Sequence, residues 1–322
     1  MKANLLVLFT TLVMLCLLFS GIELIVRVSM PDVSSQDVDR HLVRPNVFGN
    51  THGWVPNSSG FCFGKTARFD ADGFRDVQHP DHTAVSWLLL GDSVCFGLGV
   101  DADSTFAALL QRALPTTRVW NTAAIGYDIT SYSELLPFML RKDPAIRHVL
   151  LFWCLNDIYA GSDGFQMHAI DSPLFALLRH HSRTYVVLKN LLADRSKAYF
   201  LHDAGLYRKG GLGKTVALLE AMNASLLAQG VSLTLVLLPY EYQLRTRATA
   251  DLLPQQLVAA TCNKLGVECV DLTPEFMART GNTHAFYLFA DGIHFSRRGH
   301  RVAFEALQRE LRRSSLANQR VP

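Results

Sequence analysis

Val85-Ser86-Trp87-Leu88-Leu89-Leu90-Gly91-Asp92-Ser93 is the stretch on which the reading of this chain turns. A near-continuous apolar run of strand length is the mark of a strand buried on both faces, as parallel sheets require. Here it breaks sharply into Gly-Asp-Ser and continues with the small and apolar Val94, Cys95, Phe96 and Gly97. A serine at the carboxyl end of such a strand stands where strand ends and helix N-termini converge on one crevice.

From Val85 onward the pattern of apolar strand, loop and helix repeats. Strands are expected at 85–90, 118–122, 148–153, 231–238 and 267–271, with helices at 103–113, 131–141, 214–228, 254–265 and 298–313. This alternation predicts an α/β fold, a parallel sheet covered by helices on both faces, with right-handed crossovers. Residues 28–84 read as a linker and a turn-rich extension. Pro45-Asn46, Pro56-Asn57-Ser58-Ser59-Gly60 and Asp72-Gly73 mark its turns, with small antiparallel strands at Phe61-Cys62-Phe63 and Ala67-Arg68-Phe69. In 165–213, Leu174, Leu177, Leu178, Tyr185, Leu188 and Leu191 recur at helical spacing, with Arg179, His180, His181, Arg183 and Lys189 between them. The expectation is a surface helix with a solvated basic face; the rival is a lid or an interfacial helix near a membrane. His180 and His181 have no third ligand at metal spacing, so no metal site is expected there.

The first 27 residues carry no charge between Lys2 and Glu23. About 20 apolar residues in a helix cross a hydrocarbon layer of roughly 30 Å. The small-x-small signal for cleavage is poor at Phe19-Ser20-Gly21-Ile22, and apolar residues resume at Leu24, so residues 1–27 read as an uncleaved transmembrane anchor rather than a signal peptide. A short basic N-terminus stays inside, which places the remaining chain outside the cytoplasm, although Arg27, Arg40 and Arg44 weaken that asymmetry. The net charge of +3, with no basic stripe interleaved with aromatics, excludes a nucleic-acid partner. Six cysteines in 322 residues are no disulfide framework. Cys262 and Cys269 could bridge in an oxidising compartment, though the spacing does not require it, while Cys95 and Cys154 read as small buried residues at strand ends.

A serine hydroxyl needs a base to take its proton, and the base needs a carboxylate to hold its tautomer. Asp291-Gly292-Ile293-His294, just before the last helix, puts an acid and a base three residues apart, on one side of a tight turn. The candidates are therefore Ser93 as nucleophile, His294 as base and Asp291 as its partner. Donors for an oxyanion would come from the loops after the second and third strands. Gly126 offers a backbone N–H in a loop with no room for a side chain, and Asn156 offers its amide. Two decoys are set aside. Gly210-Gly211-Leu212-Gly213-Lys214-Thr215 has Arg208 where a phosphate loop needs its first glycine, and no buried strand precedes it, so no nucleotide is expected. Asp157 is passed over for Asp291 as the acid, because spacing ties Asp291 to His294.

With these residues assembled, the chain resembles the SGNH (GDSL-type) hydrolase superfamily, of the membrane-anchored bacterial type, over about residues 85–315. Gly91-Asp92-Ser93 with Gly97 looks like its first block, Gly126 its second, Asn156-Asp157 its third and Asp291-Gly292-Ile293-His294 its last. Cys154 departs from the glycine usual two residues before the asparagine. The resemblance implies a flavodoxin-like three-layer α/β/α sandwich with a five-stranded parallel sheet. It implies Ser93, His294 and Asp291 as the catalytic triad, the Ser93 N–H, Gly126 and Asn156 as the oxyanion hole, and no cofactor. Gly53-Trp54-Val55-Pro56-Asn57 and Asp72-Gly73-Phe74-Arg75-Asp76 resemble the N-terminal extension of anchored relatives associated with surface or exported polysaccharides. The function implied is a serine esterase removing or transferring a short acyl group such as acetyl on an extracytoplasmic glycan. A lipase or thioesterase, or a non-catalytic carbohydrate-binding protein, is the alternative.

Overall fold

The computed structural model describes residues 2–31, 33–34, 37–75, 84–161, 172–279 and 281–313. Asp76, the start of the 165–213 stretch (165–171), and residues 314–315 lie outside them. In chain order the elements begin with helix α1 (Lys2–Ser29) and strands β1 (Val43–Phe48), β2 (Thr51–Trp54), β3 (Ser59–Cys62) and β4 (Lys65–Arg68). Then come β5 (Val85–Gly91), α2 (Ser93–Phe96), α3 (Phe106–Ala113), β6 (Thr117–Asn121), α4 (Ile129–Lys142) and β7 (Ile146–Trp153). Helices α5 (Pro173–His181), α6 (Arg183–Leu191), α7 (Arg195–Arg208) and α8 (Gly213–Leu227) precede β8 (Ser232–Leu237). Helices α9 (Glu241–Thr246) and α10 (Leu253–Leu265), β9 (Glu268–Asp271), α11 (Thr273–Met277) and α12 (Arg297–Arg313) complete the chain.

Strands β5 to β9 form one parallel sheet in the order β6-β5-β7-β8-β9. All five expected strands are present within two residues of their expected ends. Leu88, Leu89 and Leu90 in β5 and Val149, Leu150 and Leu151 in β7 are fully buried on successive, oppositely pointing positions, which only a sheet covered on both faces allows. Two groups of helices cover it: α3 packs on α12, and α8 packs on α4 and α10. Because β6 lies on one side of β5 and β7 on the other, the order reverses at β5. In open α/β sheets the crevice opens at that switch point, outside the strand carboxyl ends.

Ser93 occupies that position for local reasons. Gly91 ends β5 in a reversal so tight that a Cβ there would sit 2.4 Å from the Cβ of Cys95. The Asp92 carboxylate then caps the single turn α2 by accepting from the Val94 N–H at 2.9 Å. Gly97 closes the turn in the left-handed conformation, φ +83°, where its missing Cβ also leaves room for the Thr105 methyl.

The extension is two antiparallel hairpins, β1–β2 and β3–β4, and the second matches the two strand pieces expected from sequence. Its buried Leu42, Phe48, Trp54, Phe69 and Phe74 join the same hydrophobic cluster as β5 and α2. Arg75 fastens the two together. Its guanidinium is buried and donates to the carbonyls of Phe96, Gly97 and Val100, at the C-terminal end of the nucleophile turn. Burial lowers its pKa to about 10, so the group stays charged at neutral pH. A cation at this end also complements the helix carbonyls that lack intrahelical partners.

Helix α1 is exposed along its length, with Val26 its buried contact and Glu23 partly covered, and Asn4–Ser29 is long and apolar enough to cross a membrane. The 165–213 stretch departs from the single solvated helix expected. It is broken at Ser182, whose extended backbone (φ −108°, ψ 113°) and side chain, accepting from the Tyr185 N–H at 3.0 Å, start a new helix. Past α6 the solvated reading fails altogether: α7 buries Phe200, Ala204 and Tyr207, and the Tyr207 hydroxyl bridges Trp153 Nε1 and the Leu155 carbonyl at 2.9 Å each.

Arg75→Ala removes three hydrogen bonds to buried carbonyls in and just after the turn that carries Ser93. Since a hydrogen bond to a charged group contributes roughly 1.5–3 kcal/mol, the variant is expected to lose about 3 kcal/mol or more in urea denaturation. Arg75→Lys, which keeps the charge, should recover part of it. A loss below about 1 kcal/mol for Arg75→Ala would contradict the fastening role.

Candidate active site

Asp291 and His294 lie on a loop folded back on itself. Tyr287 bridges Phe295, the Leu288 N–H reaches the His294 carbonyl at 2.8 Å, and the Asp291 N–H reaches the Leu288 carbonyl at 3.1 Å. Gly292, at φ +85°, passes so close to Ser196 that a Cβ would clash with it at 2.4 Å. Within this loop one atom, Asp291 Oδ1, accepts three N–H groups: Ile293 at 3.0 Å, His294 backbone at 2.8 Å and His294 Nδ1 at 2.8 Å. With Nδ1 donating to the carboxylate, Nε2 is left as an acceptor. It meets Ser93 Oγ at 2.8 Å, across 201 residues of sequence.

The electrostatics follow from that pairing. Burial alone would raise the Asp291 pKa, but the charge of His294 and the hydrogen bonds from it prevail and bring it down to about 2. Burial likewise pulls His294 down, and is outweighed by the charge and hydrogen bond of Asp291, with Asp92 adding to them, so the imidazole titrates above its ordinary 6.5. A neutral imidazole held this way can take the hydroxyl proton as the oxygen attacks, and the neighbouring carboxylate stabilises the imidazolium that forms.

Asn156, in the 3-10 turn after β7, joins the constellation through Asp92: its Nδ2 donates to Asp92 Oδ2 at 3.3 Å. An amide nitrogen carries two N–H groups, and one remains for a substrate oxygen. Asp92 is therefore more than a cap. Buried between α2 and Asn156, it orients the amide with one oxygen and holds the Val94 N–H with the other. Its pKa is raised by burial against the pull of those same contacts. Gly126 lies in the loop from β6 to α4, at the same sheet edge. The reason for glycine there differs from the crowding expected: a Cβ would meet nothing within 4 Å, and the residue is instead required by its φ of +82°.

The decoys are occupied elsewhere. Asp157 is fully buried, accepting from the Tyr132 hydroxyl and the Cys154 N–H at 2.8 Å each. Burial pushes the Cys95 thiol well above its ordinary value, which leaves it unreactive. Lys214 donates to the Ala160 carbonyl at 2.7 Å, and helix α7, not a strand, precedes its glycines. Cys262 and Cys269 are both free thiols. Among the described residues no group of three or more His, Cys, Asp and Glu could hold a metal ion.

Three contributors escaped the sequence reading. Phe63 occupies the tip of the β3–β4 hairpin at φ +48°, followed by Gly64 at +79°, and its ring lies 6.1 Å from that of His294. A phenylalanine held in the left-handed region is strained, and such outliers gather at functional sites. Glu241 is wholly buried and gathers Ser196 Oγ at 2.7 Å and Thr283 Oγ1 at 2.9 Å, with Arg245 and His284 at 3.3 Å, while its own N–H binds the Gly292 carbonyl at 2.9 Å. It props the Asp291 loop from behind. Arg75 is the third. Apart from the Glu241–Arg245 pair, the Glu241 and Arg75 roles come from contacts made across 20 residues or more and leave no local motif; the two-residue turn at Phe63-Gly64 was the one local signal on offer.

The model of the GDSL-like lipase/acylhydrolase family matches residues 89–302, about two thirds of the chain. The chain belongs to that family. This GDSL-like protein is accordingly a carboxylic ester hydrolase, and the matched span runs from β5 into α12. Solved structures similar to it include a lipolytic protein of the G-D-S-L family from Veillonella parvula, 12% identical, covering 71% of this chain and 100% of that one at a TM-score of 0.44. Another is an acetylxylan esterase from Geobacillus stearothermophilus, 17% identical, covering 71% and 94% at 0.45. No curated protein matches. At such identities a neighbour's substrate is not transferable.

A base at His294 has to be neutral to take a proton, so with His294 as the candidate base ester hydrolysis by this GDSL-like enzyme should be slow at acid pH and rise through an inflection above pH 6.5. Asp291→Asn removes the charge that holds the imidazole pKa up. Its kcat/KM inflection should move to lower pH and its plateau fall by roughly 10³–10⁴-fold. An unshifted inflection in the kcat/KM profile would mean that His294 is not the titrating base.

Proposed function

We propose that the protein is a serine esterase that removes, or transfers, a short acyl group such as acetyl from an extracytoplasmic glycan. The observation that carries the reaction is the unbroken chain Asp291–His294–Ser93 at 2.8 Å per link. In the first half-reaction the Ser93 proton passes to His294 Nε2 as Oγ bonds to the ester carbonyl carbon. The carbonyl oxygen becomes an oxyanion, for which the Ser93 and Gly126 N–H groups and the Asn156 amide are the donors. Collapse breaks the bond to the sugar oxygen, which takes the proton from His294. In the second half water gives a proton to His294 as it attacks the acyl carbon, the bond from that carbon to Ser93 Oγ breaks, Oγ takes the proton back from His294, and the free acid leaves; with a sugar hydroxyl in place of water the same steps release a new sugar ester.

The glycan acceptor rests on the likeness of the Gly53–Asn57 and Asp72–Asp76 stretches to extensions of anchored relatives. The extension is well placed for such a role, since Phe63 at its hairpin tip lies beside His294. The compartment rests on α1 as a membrane anchor with the hydrolase outside the cytoplasm. A lipid-like ester is the competing substrate, favoured by that anchor and by exposed leucines on α5 and α6.

Full-length protein and its Ser93→Ala variant, assayed on p-nitrophenyl esters of increasing chain length, test both parts. Ser93→Ala should lose roughly 10⁴-fold or more in kcat on the acetate. The parent rate should fall steadily from acetate to octanoate. A Ser93→Ala variant as fast as its parent overturns the mechanism, and a rate that climbs with chain length overturns the short-acyl reading in favour of lipid-like esters.

A further inference from the structure

Glu23 is the first charge after Lys2, and it is fully engaged. Its carboxylate accepts from Ser182 Oγ at 3.0 Å and from the backbone N–H groups of Arg183 at 3.0 Å and Thr184 at 2.9 Å, while pairing with Arg27 at 2.8 Å. Arg27 in turn donates to the His181 carbonyl at 2.7 Å. The corner between α5 and α6 is thereby clamped to the last turns of α1. The residues before the clamp, 4 to 22, make a helix of about 28 Å at 1.5 Å per residue, close to the roughly 30 Å of a hydrocarbon layer. The clamp therefore falls where an anchor leaves the acyl chains and enters the headgroups.

Both clamped helices expose large apolar side chains. Leu174 and Leu177 on α5 and Leu188 and Leu191 on α6 are each more than half exposed, and Leu191 and Leu192 are the extreme cases at 75% and 87%. Scattered exposed leucines need no explanation, but several on two adjacent helices, one of which packs on the bare apolar α1, do. Cations accompany them. Lys189 is held below its ordinary pKa by burial and then by Arg195 and Arg179, so three like charges share this neighbourhood. Long basic side chains beside leucines suit an interface at which the stems lie in the acyl boundary and the heads reach anionic headgroups.

We infer that α5 and α6 form a second membrane contact, seated in the headgroup layer of a bilayer containing anionic lipid, with the leucine face in the acyl boundary. The inference rests on α1 crossing that bilayer. It has a consequence for the site. The His180 ring on α5 lies 5.2 Å from Phe61, and Phe63, two residues on, lies 6.1 Å from His294. Hairpin β3–β4 thus spans from the membrane-seated helix to the reacting groups, and the site is held at a fixed, short distance from the lipid surface. An esterase so mounted meets esters presented at that surface rather than deep in solution.

Full-length protein in vesicles of phosphatidylcholine and phosphatidylglycerol tests this with an environment-sensitive fluorophore on a single cysteine. Cys16, exposed on α1, reports the anchor, and Leu188→Cys and Leu191→Cys in a Cys16→Ala background report α6, to which α5 is joined at Ser182; the Cys16→Ala parent, whose other five cysteines are buried or half-buried, is the labelling control. The expected result is blue-shifted emission at all three positions, with 188 and 191 quenched by lipids spin-labelled near the headgroup. A lipid-quenched Cys16 with 188 and 191 quenched only by aqueous iodide leaves the anchor standing and overturns the inference. Probes at 188 and 191 shielded from both quenchers would mean that protein, a second copy or a partner, covers the face, which also overturns it. Aqueous quenching at all three positions overturns anchor and inference together.

Discussion

Asp291 Oδ1 accepts two backbone N–H groups from its own loop and the Nδ1–H of His294, and much of the site's geometry descends from that one oxygen. The backbone bonds fix where the carboxylate points; the third fixes the imidazole's tautomer and plane. Only then does Nε2 face Ser93 as an acceptor. Such an arrangement is costly to build, because burial disfavours both charges, and it persists because each partner offsets the other's desolvation. The protein supports it from outside. Glu241 holds the loop's rear through Ser196, Thr283 and the Gly292 carbonyl, and the absence of a side chain at Gly292 permits that close packing.

On the serine side the matching constraint is the single-turn helix α2. A helix this short leaves nearly all its backbone groups without intrahelical partners. Asp92 serves its N-terminal end, and Arg75, from the extension, serves the carbonyl of its last residue, Phe96, and those of Gly97 and Val100 just beyond. The extension is thus structurally inseparable from the hydrolase sheet it precedes. Its other hairpin tip, Phe63, reaches the far side of the site at His294. One small segment therefore both stiffens the serine turn and walls the histidine.

Much of this was legible in the sequence, for definable reasons. Buried parallel strands announce themselves as continuous apolar runs, so β5, β7 and β8 were plain, and the Asp-x-x-His spacing encodes a local turn. What stayed hidden depends on contacts between distant segments. Arg75 looked like part of a turn, and Glu241 drew no notice at all, until the fold set each against groups from elsewhere. Ser182 shows a subtler limit: leucine periodicity ran through it unbroken from Leu174 to Leu191, yet one capping hydroxyl, tied to Glu23 on α1, ends one helix and begins another. Gly126 was chosen for the right type and the wrong reason, since its need is a positive φ rather than a lack of space.

In the proposed reaction Ser93 is a nucleophile activated by His294. Intact-mass analysis of the full-length protein after exposure to a fluorophosphonate, followed by peptide mapping, addresses it without any assumption about substrate. The expected result is one adduct, on Ser93, absent in Ser93→Ala and formed far more slowly in His294→Ala. A protein that stays unlabelled, or an adduct mapped to another residue, would contradict it.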